Sequence, residues 1–219
     1  MNSKRLPGKV LLNLSGKSVL QVMIERVLKS KELYKIIIAT TTNPKDDKIF
    51  NLSTKLGVDV YRGNEEDVLE RFFYVSKKYK VKNIVRLTSD CPMQDFRIID
   101  ELIKIYKTEK YDYVSNISKR TFPDGLDVEV FSFDSLQIAY EQATHKLHRE
   151  HVTTYIRGGI KGLSEGNFKR YNFSYPVNYS NLRWTIDTKD DYEHIKLFFN
   201  NLPEHFSWLE AINFYENLK

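Results

Sequence analysis

The chain has 219 residues, of which 41% are apolar by type and 29% charged, with only 9 Gly and 6 Pro. That composition fills one sizeable core and excludes a disordered, collagen-like or low-complexity chain. No apolar run approaches the roughly 18 residues of a membrane span, residues 1–7 carry no secretory-type apolar stretch, and the single cysteine, Cys91, excludes an internal disulfide and a cysteine-type zinc site. A soluble cytoplasmic protein is therefore expected. The net charge of +5 suits an anionic ligand or nucleic acid equally well. The lysines are scattered and form no basic stripe, so nucleic acid is not expected as a partner.

In chain order, residues 18–30 carry Val19, Leu20, Met23, Ile24, Val27 and Leu28 at helical spacing. Ser18 with Gln21 reads as a capping box at its start. Residues 35–40 read as a short buried strand. Residues 46–56 read as a helix stopped by Gly57, and residues 58–61 as a strand. Residues 65–78 read as a helix with an acidic first turn of Glu65, Glu66 and Asp67. Then follow a strand over 83–88, a helix over 96–106 and a strand over 111–115. This alternation predicts βαβ units, a mostly parallel sheet and helices on both faces.

After residue 116 the rhythm changes. A strand is predicted over 127–131 and helices over 135–143 and 149–157. Residues 170–175 and 182–186 read as extended, and helices over 189–199 and 208–218 close the chain. There is no repeat, linker or charge block. The expectation is one domain over 1–219, with a nucleotide-binding half at about 1–116 and an acceptor half at about 117–219.

Three segments have the residue types for phosphate chemistry. Arg5-Leu-Pro-Gly-Lys9 is a basic loop in which Gly8 permits close backbone approach to an anion, while Arg5 and Lys9 neutralise phosphate charge. A simple basic terminus is the other reading. Gly16-Lys17-Ser18 fails as a phosphate-loop tail, because Leu11 stands where the first glycine is needed. Thr88-Ser-Asp90-Cys-Pro92 places a carboxylate at the C-terminal end of a strand, where ligands gather in open α/β sheets. Asp90 there either holds Mg²⁺ on a phosphate or caps the next helix. In Arg183-Trp-Thr-Ile-Asp-Thr188, Asp187 is a metal ligand or, with Thr188, a helix cap. His145, His148 and His151 lack the spacing of a helical zinc motif. Cys91 reads as a small buried side chain.

Seven segments occur in the order of one known family. They are Arg5-Leu-Pro-Gly-Lys9, Ala39-Thr-Thr-Thr42, Tyr61-Arg-Gly-Asn-Glu-Glu-Asp-Val68, Arg86-Leu-Thr-Ser-Asp-Cys-Pro92, Asp124-Gly-Leu-Asp-Val-Glu-Val130, Arg149-Glu-His-Val152 and Arg183-Trp-Thr-Ile-Asp-Thr188. Together they resemble the cytidylyltransferases of spore-coat polysaccharide biosynthesis (SpsF type), relatives of CMP–sialic acid and CMP–KDO synthetases. The resemblance covers nearly the whole chain. It implies a Rossmann-like nucleotide-diphospho-sugar transferase fold. It also implies transfer of CMP from CTP to the hydroxyl of an acidic sugar, with release of pyrophosphate.

Carried over residue by residue, Lys9, Asp90 and Asp187 would be catalytic, and Asp90 and Asp187 would hold Mg²⁺. Arg5, Gly8, Lys9, Thr40, Thr41, Gly63, Asp67 and Arg71 would lie at the nucleotide. Asp124, Asp127, Glu129, Arg149 and His151 would face the acceptor sugar. Relatives in the sialic-acid branch point to a homodimer.

In the family a strand ending in Gln-Ala-Arg leads into the basic loop, whereas here only residues 1–4 precede Arg5. The resemblance thus implies a sheet without its first strand. The sheet centre should show either a gap or direct pairing of residues 36–38 with 84–86. Rival readings are a glycosyltransferase of the same broad fold, which wants an Asp-x-Asp motif that Asp90-Cys91-Pro92 lacks, and a non-catalytic partner protein. Calorimetry with CTP and Mg²⁺ separates the latter.

Overall fold

The computed structural model describes Ser3 and residues 5–218; Met1, Asn2 and Lys4, ahead of the basic loop, and Lys219 lie outside the described residues. Gly8 adopts φ 72°, turning the basic loop into a 3-10 turn over Lys9–Leu11. A small hairpin follows, β1 (Asn13–Leu14) with β2 (Lys17–Ser18), reversed through Ser15 and Gly16 at positive φ. Helix α1 (Val19–Val27) starts where the Ser18 hydroxyl oxygen accepts the Gln21 N–H at 3.1 Å. The Gln21 side chain donates to Glu25 and not back to Ser18, so half of the expected capping box forms.

Strand β3 (Ile37–Thr41), helix α2 (Asp47–Lys55) and strand β4 (Asp59–Gly63) form the first βαβ unit. Gly57 at φ 72° ends the α2 segment. Helix α3 (Val68–Lys78) begins later than its acidic residues suggest. Asp67 caps it by accepting the Glu70 N–H, which leaves Glu65 and Glu66 outside the helix. Strand β5 (Asn83–Arg86), helix α4 (Phe96–Tyr106) and strand β6 (Tyr113–Ser115) follow as expected.

The second half is more broken than its hydrophobic spacing implies. Strand β7 (Glu129–Ser132) leads into α5 (Phe133–Gln142). The helix expected over 149–157 is two pieces, α6 (Lys146–His151) and α7 (Thr154–Arg157), separated at Val152, which is fully buried at φ 61°. Strand β8 (Arg170–Asn172) is short. Residues 182–186 form no strand and carry one parallel bridge, Asp124 to Arg183. Helices α8 (Lys189–Asn201) and α9 (Trp208–Glu216) complete the chain, each opened by a full capping box.

The fold is the expected α/β class, with β7 as an antiparallel member. Strands β3 and β4 pair in parallel, Ile37 opposite Asp59. A separate sheet has the order β5-β7-β6-β8, with β7 antiparallel to β5 and β6, and β8 parallel to β6. Of the two outcomes expected at the sheet centre, the gap is the one that forms: β3 and β5 do not pair. The largest core cluster joins Val19, Met23 and Val27 of α1 and Ile99 and Leu102 of α4 to Trp184, Ile186, Phe198 and Trp208. Packing from both halves of the chain therefore fixes one rim of the sheet.

Candidate active site

Two aspartates from distant parts of the chain meet at that rim. Asp90 follows β5 at its C-terminal end, in a turn closed by the Cys91 N–H donating to the Thr88 carbonyl. The Ile186 N–H donates to the Asp90 carbonyl at 2.9 Å, and the Trp184 N–H to the Asp124 carbonyl at 2.6 Å. These backbone bonds lay residues 182–186 beside the end of β5 and deliver Asp187 next to Asp90. Between them sits Lys9, whose Nζ donates to Asp90 Oδ2 at 2.6 Å and to Asp187 Oδ1 at 2.7 Å.

Charge then alternates outward. Asp187 Oδ2 also meets Arg5 at 3.2 Å and Arg183 at 2.6 Å. Arg183 pairs with Asp191 at 2.6 Å and Asp124 at 3.6 Å. Arg120 bridges Asp124 and Asp127. Burial disfavours the Lys9 charge, but Asp90 and Asp187 outweigh it and hold its pKa above the ordinary lysine value. Burial likewise opposes ionisation of Asp187, and Lys9, Arg5 and Arg183 overcome it, so its carboxyl lies below the usual range. Asp191 is drawn down to about 2: burial opposes the charge, and Arg183 with the N–H groups of Asp187 and Thr188 prevails. Burial pushes the Asp124 carboxyl up, with Asp127 adding to it against Arg120 and Arg183.

The competing helix-cap readings resolve in the structure. Helix α4 is capped by Asp95, not Asp90. Helix α8 is capped by Thr188, with Asp191 closing the box. Asp90 and Asp187 thus cap no helix. Among the described residues no group of three or more His, Cys, Asp or Glu converges as a metal site. Two hard carboxylates nevertheless match Mg²⁺, which takes one or two protein ligands and completes its shell with water and substrate phosphate.

The other expected nucleotide residues form neighbouring groups. The Thr40 and Thr41 hydroxyls both donate to Asp46 Oδ2, at 2.9 and 2.6 Å, which ties the end of β3 to the entrance of α2. Gly63 ends β4 where a Cβ would lie 3.1 Å from Arg71 Cγ. Arg71 donates to the Asn64 carbonyl, and its buried Nε has no partner among the described residues. Asp67 accepts from Arg149 at 2.7 Å, so an expected nucleotide residue and an expected acceptor residue are paired.

The expected acceptor group separates. Asp124 and Asp127 join the rim through Arg120. Glu129 does not: it is 1% exposed, and its carboxylate accepts from Arg86, Tyr113 and Thr153, a core polar network with no face toward an acceptor. The resemblance carries Glu129 over with the whole segment 124–130, and a matching segment does not say which way one side chain in it turns. His151 ends α6 with an exposed side chain and no described hydrogen bond to the rim. His145 caps α6, while buried His148 contacts Thr154 at 2.7 Å, so the three histidines do not converge. Burial raises the Cys91 thiol pKa well above normal, with Asp90 adding to it, in keeping with a small buried side chain. Arg120, Arg183, Asp191 and Asp46 were not among the expected site residues. Arg183 and Asp187 lie on an extended segment, where a four-residue spacing carries no pairing signal, so their ion pair was not legible in the sequence.

A Rossmann-like α/β fold with an aspartate at a strand end, a second brought beside it by an extended segment, and a lysine from a glycine-turned basic loop belongs to the nucleotidyltransferase class. The chain belongs to the cytidylyltransferase family, whose model matches residues 1–219. It is 40% identical over 212 residues to the uncharacterized protein MJ1063 of Methanocaldococcus jannaschii, covering 95% of this chain and 82% of that one. It is 36% identical over 211 residues to the spore coat polysaccharide biosynthesis protein SpsF of Bacillus subtilis, covering 93% and 85%. A solved cytidylyltransferase from Leptospira borgpetersenii superposes with a TM-score of 0.92 at 31% identity, over 99% of this chain and 90% of that one.

Proposed function

We propose that the protein transfers CMP from CTP to the hydroxyl of an acidic sugar, in the making of a surface polysaccharide. The observation that carries the reading is the Lys9 ammonium held between Asp90 and Asp187. Family membership and the likeness to SpsF support the nucleotide and the pathway class. The acidic acceptor, of nonulosonic or KDO type, rests on the resemblance noted above.

In this reading the sugar hydroxyl oxygen attacks the α-phosphorus of CTP. The bond from that phosphorus to the α,β-bridging oxygen breaks, pyrophosphate leaves, and the hydroxyl proton passes to solvent. Such a reaction needs positioning and charge neutralisation more than covalent work by the protein. Asp90 and Asp187 would hold Mg²⁺, which when bound neutralises phosphate charge and lowers the pKa of a nearby hydroxyl. Lys9 and Arg5 turn toward the triphosphate. Gly8 lets the loop backbone approach it. Arg120 and Arg183, already braced by Asp124 and Asp127, lie where the acceptor enters.

The test is pyrophosphate release with each of the four ribonucleoside triphosphates, across a panel of acidic and neutral sugars. Turnover is expected with CTP and a 2-keto acid sugar. Equal turnover with UTP removes the cytidylyl assignment, and equal turnover with neutral sugars removes the acidic acceptor.

A further inference from the structure

Away from the rim, the end of α1, the start of α4 and the turn before α9 enclose a small hollow. Arg26, Lys29, Arg97 and His205 line it, with Gln94 and the rings of Phe96 and Phe206. Arg26 is only 6% exposed, yet it makes no described ion pair. Its Nε donates to the Gln94 carbonyl at 2.9 Å, and its Nη2 to the Phe206 and Met93 carbonyls at 3.0 and 3.4 Å. Its Nη1 has no described hydrogen bond. The guanidinium lies 4.5 Å from the centre of the Phe206 ring. Carbonyls and a ring face solvate this cation without balancing its charge. Asp95 is close enough to help, but its oxygens are taken by the N–H groups of Arg97 and Trp208, at 2.9 and 2.8 Å, and by the Arg97 guanidinium. Burial draws the Arg26 pKa down to about 10, with Arg97 adding to it against Asp95, so the group is still charged at neutral pH.

A buried charge without a counter-charge is costly, and its neighbours here add to that cost. Lys29, half-buried and with no described ion pair, faces the same space, and so does Arg97. Glu204, beside His205, is paired with Lys17. No carboxylate lines the hollow among the described residues. Cations from the end of one helix and the start of another thus meet over one opening. A carboxylate is flat and satisfies one guanidinium, whereas a tetrahedral oxyanion offers an oxygen in each direction. At about 190 Å³ the hollow is smaller than the roughly 300 Å³ at which pockets for whole small molecules begin. We propose that it binds a single phosphate group, as inorganic phosphate or as the exposed end of a small phosphomonoester, with Arg26, Lys29 and Arg97 as its cations.

The hollow is separate from the rim, since none of Lys9, Asp90 and Asp187 lines it. Gln94 joins the two. Its carbonyl receives Arg26, its Nε2 donates to the Asp127 carbonyl at 2.9 Å, and its buried Oε1 has no described partner. A phosphate that fixes Arg26 therefore acts, through one residue, on the segment that carries Asp127.

The test is an NMR titration of the 219-residue chain with inorganic phosphate and, separately, with glycerol phosphate, with sodium chloride at matched ionic strength as the control. It follows the Nε–H signals of Arg26 and Arg97 and the ring signals of His205. These should shift and saturate at millimolar phosphate and stay in place with chloride. Arg97→Ala and Lys29→Ala leave the buried Arg26 intact, and each should weaken binding by about tenfold through loss of one charge-assisted contact. Lys9→Ala, at the rim, should leave binding at the hollow unchanged. Tighter saturation by glycerol phosphate supports an ester as the ligand, and no gain over phosphate supports the free ion. Signals that do not shift, that shift equally with chloride, or that saturate unchanged in both alanine variants overturn the proposal. So does loss of the shifts in Lys9→Ala, which would put the phosphate at the rim. None of these readouts uses turnover, so they stand apart from the assignment of the reaction.

Discussion

At the scale of single residues, Lys9 carries the argument, because it satisfies two carboxylates that would otherwise repel. Lys9→Ala should raise the KM for CTP by about tenfold or more, as loss of a charge-assisted phosphate contact does, with little change in the sugar KM. Steady-state kinetics varying each substrate separate the two. Asp90→Ala should lower Mg²⁺-dependent turnover by about 100-fold or more with circular dichroism unchanged, since Asp90 caps no helix. Retained turnover would free Asp90 of any metal role. Asp191 acts differently. Its pKa of about 2 lies below the 3.8 of an unperturbed aspartate, so ionised Asp191 stabilises the fold above that value. The contribution, about 2 kcal/mol by linkage, is lost as pH falls from about 4 through 2. Asp191→Asn should therefore flatten the loss of stability between pH 4 and 2 in acid unfolding curves. Sequence order alone made Asp90, Asp187 and Lys9 legible as candidates. It could not show that Glu129 turns inward to Arg86 and Tyr113, because a strand's alternation does not say which face is buried when both are.

At the scale of elements, the site depends on a loop laid against an extended segment. Gly125 has φ 110°, and a Cβ there would lie 2.6 Å from the Trp184 carbonyl carbon. That closeness lets Asp124 bridge to Arg183 and brings residues 182–186 to the end of β5. Gly125→Ala combines a backbone clash with a disfavoured φ. It should cost about 2 kcal/mol or more, read as a lower urea midpoint, and weaken binding at the rim with it. A midpoint equal to wild type would show that this approach is not constrained. Helix ends obey the same local logic. Ser18, Asp67, Asp95, Thr188 and Ser207 each accept a backbone N–H. Those side chains set boundaries that hydrophobic spacing misplaces by a few residues, as at Val68. The break at Val152 was illegible, since a buried valine at positive φ contradicts its own backbone preference and is held by tertiary packing alone.

At the scale of the whole molecule, alternating strand and helix patterns announced the α/β class, while the sheet centre stayed open between a gap and direct pairing of residues 36–38 with 84–86, of which the gap forms. The antiparallel entry of β7 did not follow, because residues 127–131 read as a strand of either direction. Apart from the β1–β2 hairpin, the result is two sheets of unequal support. The β5-β7-β6-β8 sheet is packed by the largest core cluster, through Val114 and Val130, and by a second around Tyr113, Phe131 and Leu136. The β3–β4 pair rests on a small cluster of Val10, Leu20, Ile24, Ile49 and Val58, and among the described residues its inner edge is unpaired. Local opening should follow that difference, since regions with few buried apolar contacts open well below the global unfolding free energy. Native-state hydrogen exchange should thus show the β3–β4 amides exchanging through a sub-global opening, while those of β6 and β7 wait for global unfolding. In rising denaturant the first set should keep a shallow slope and the second should track the full unfolding curve. If Ile38 and Val60 exchange as slowly as Val114 and Val130, the two sheets form one cooperative unit in spite of the gap.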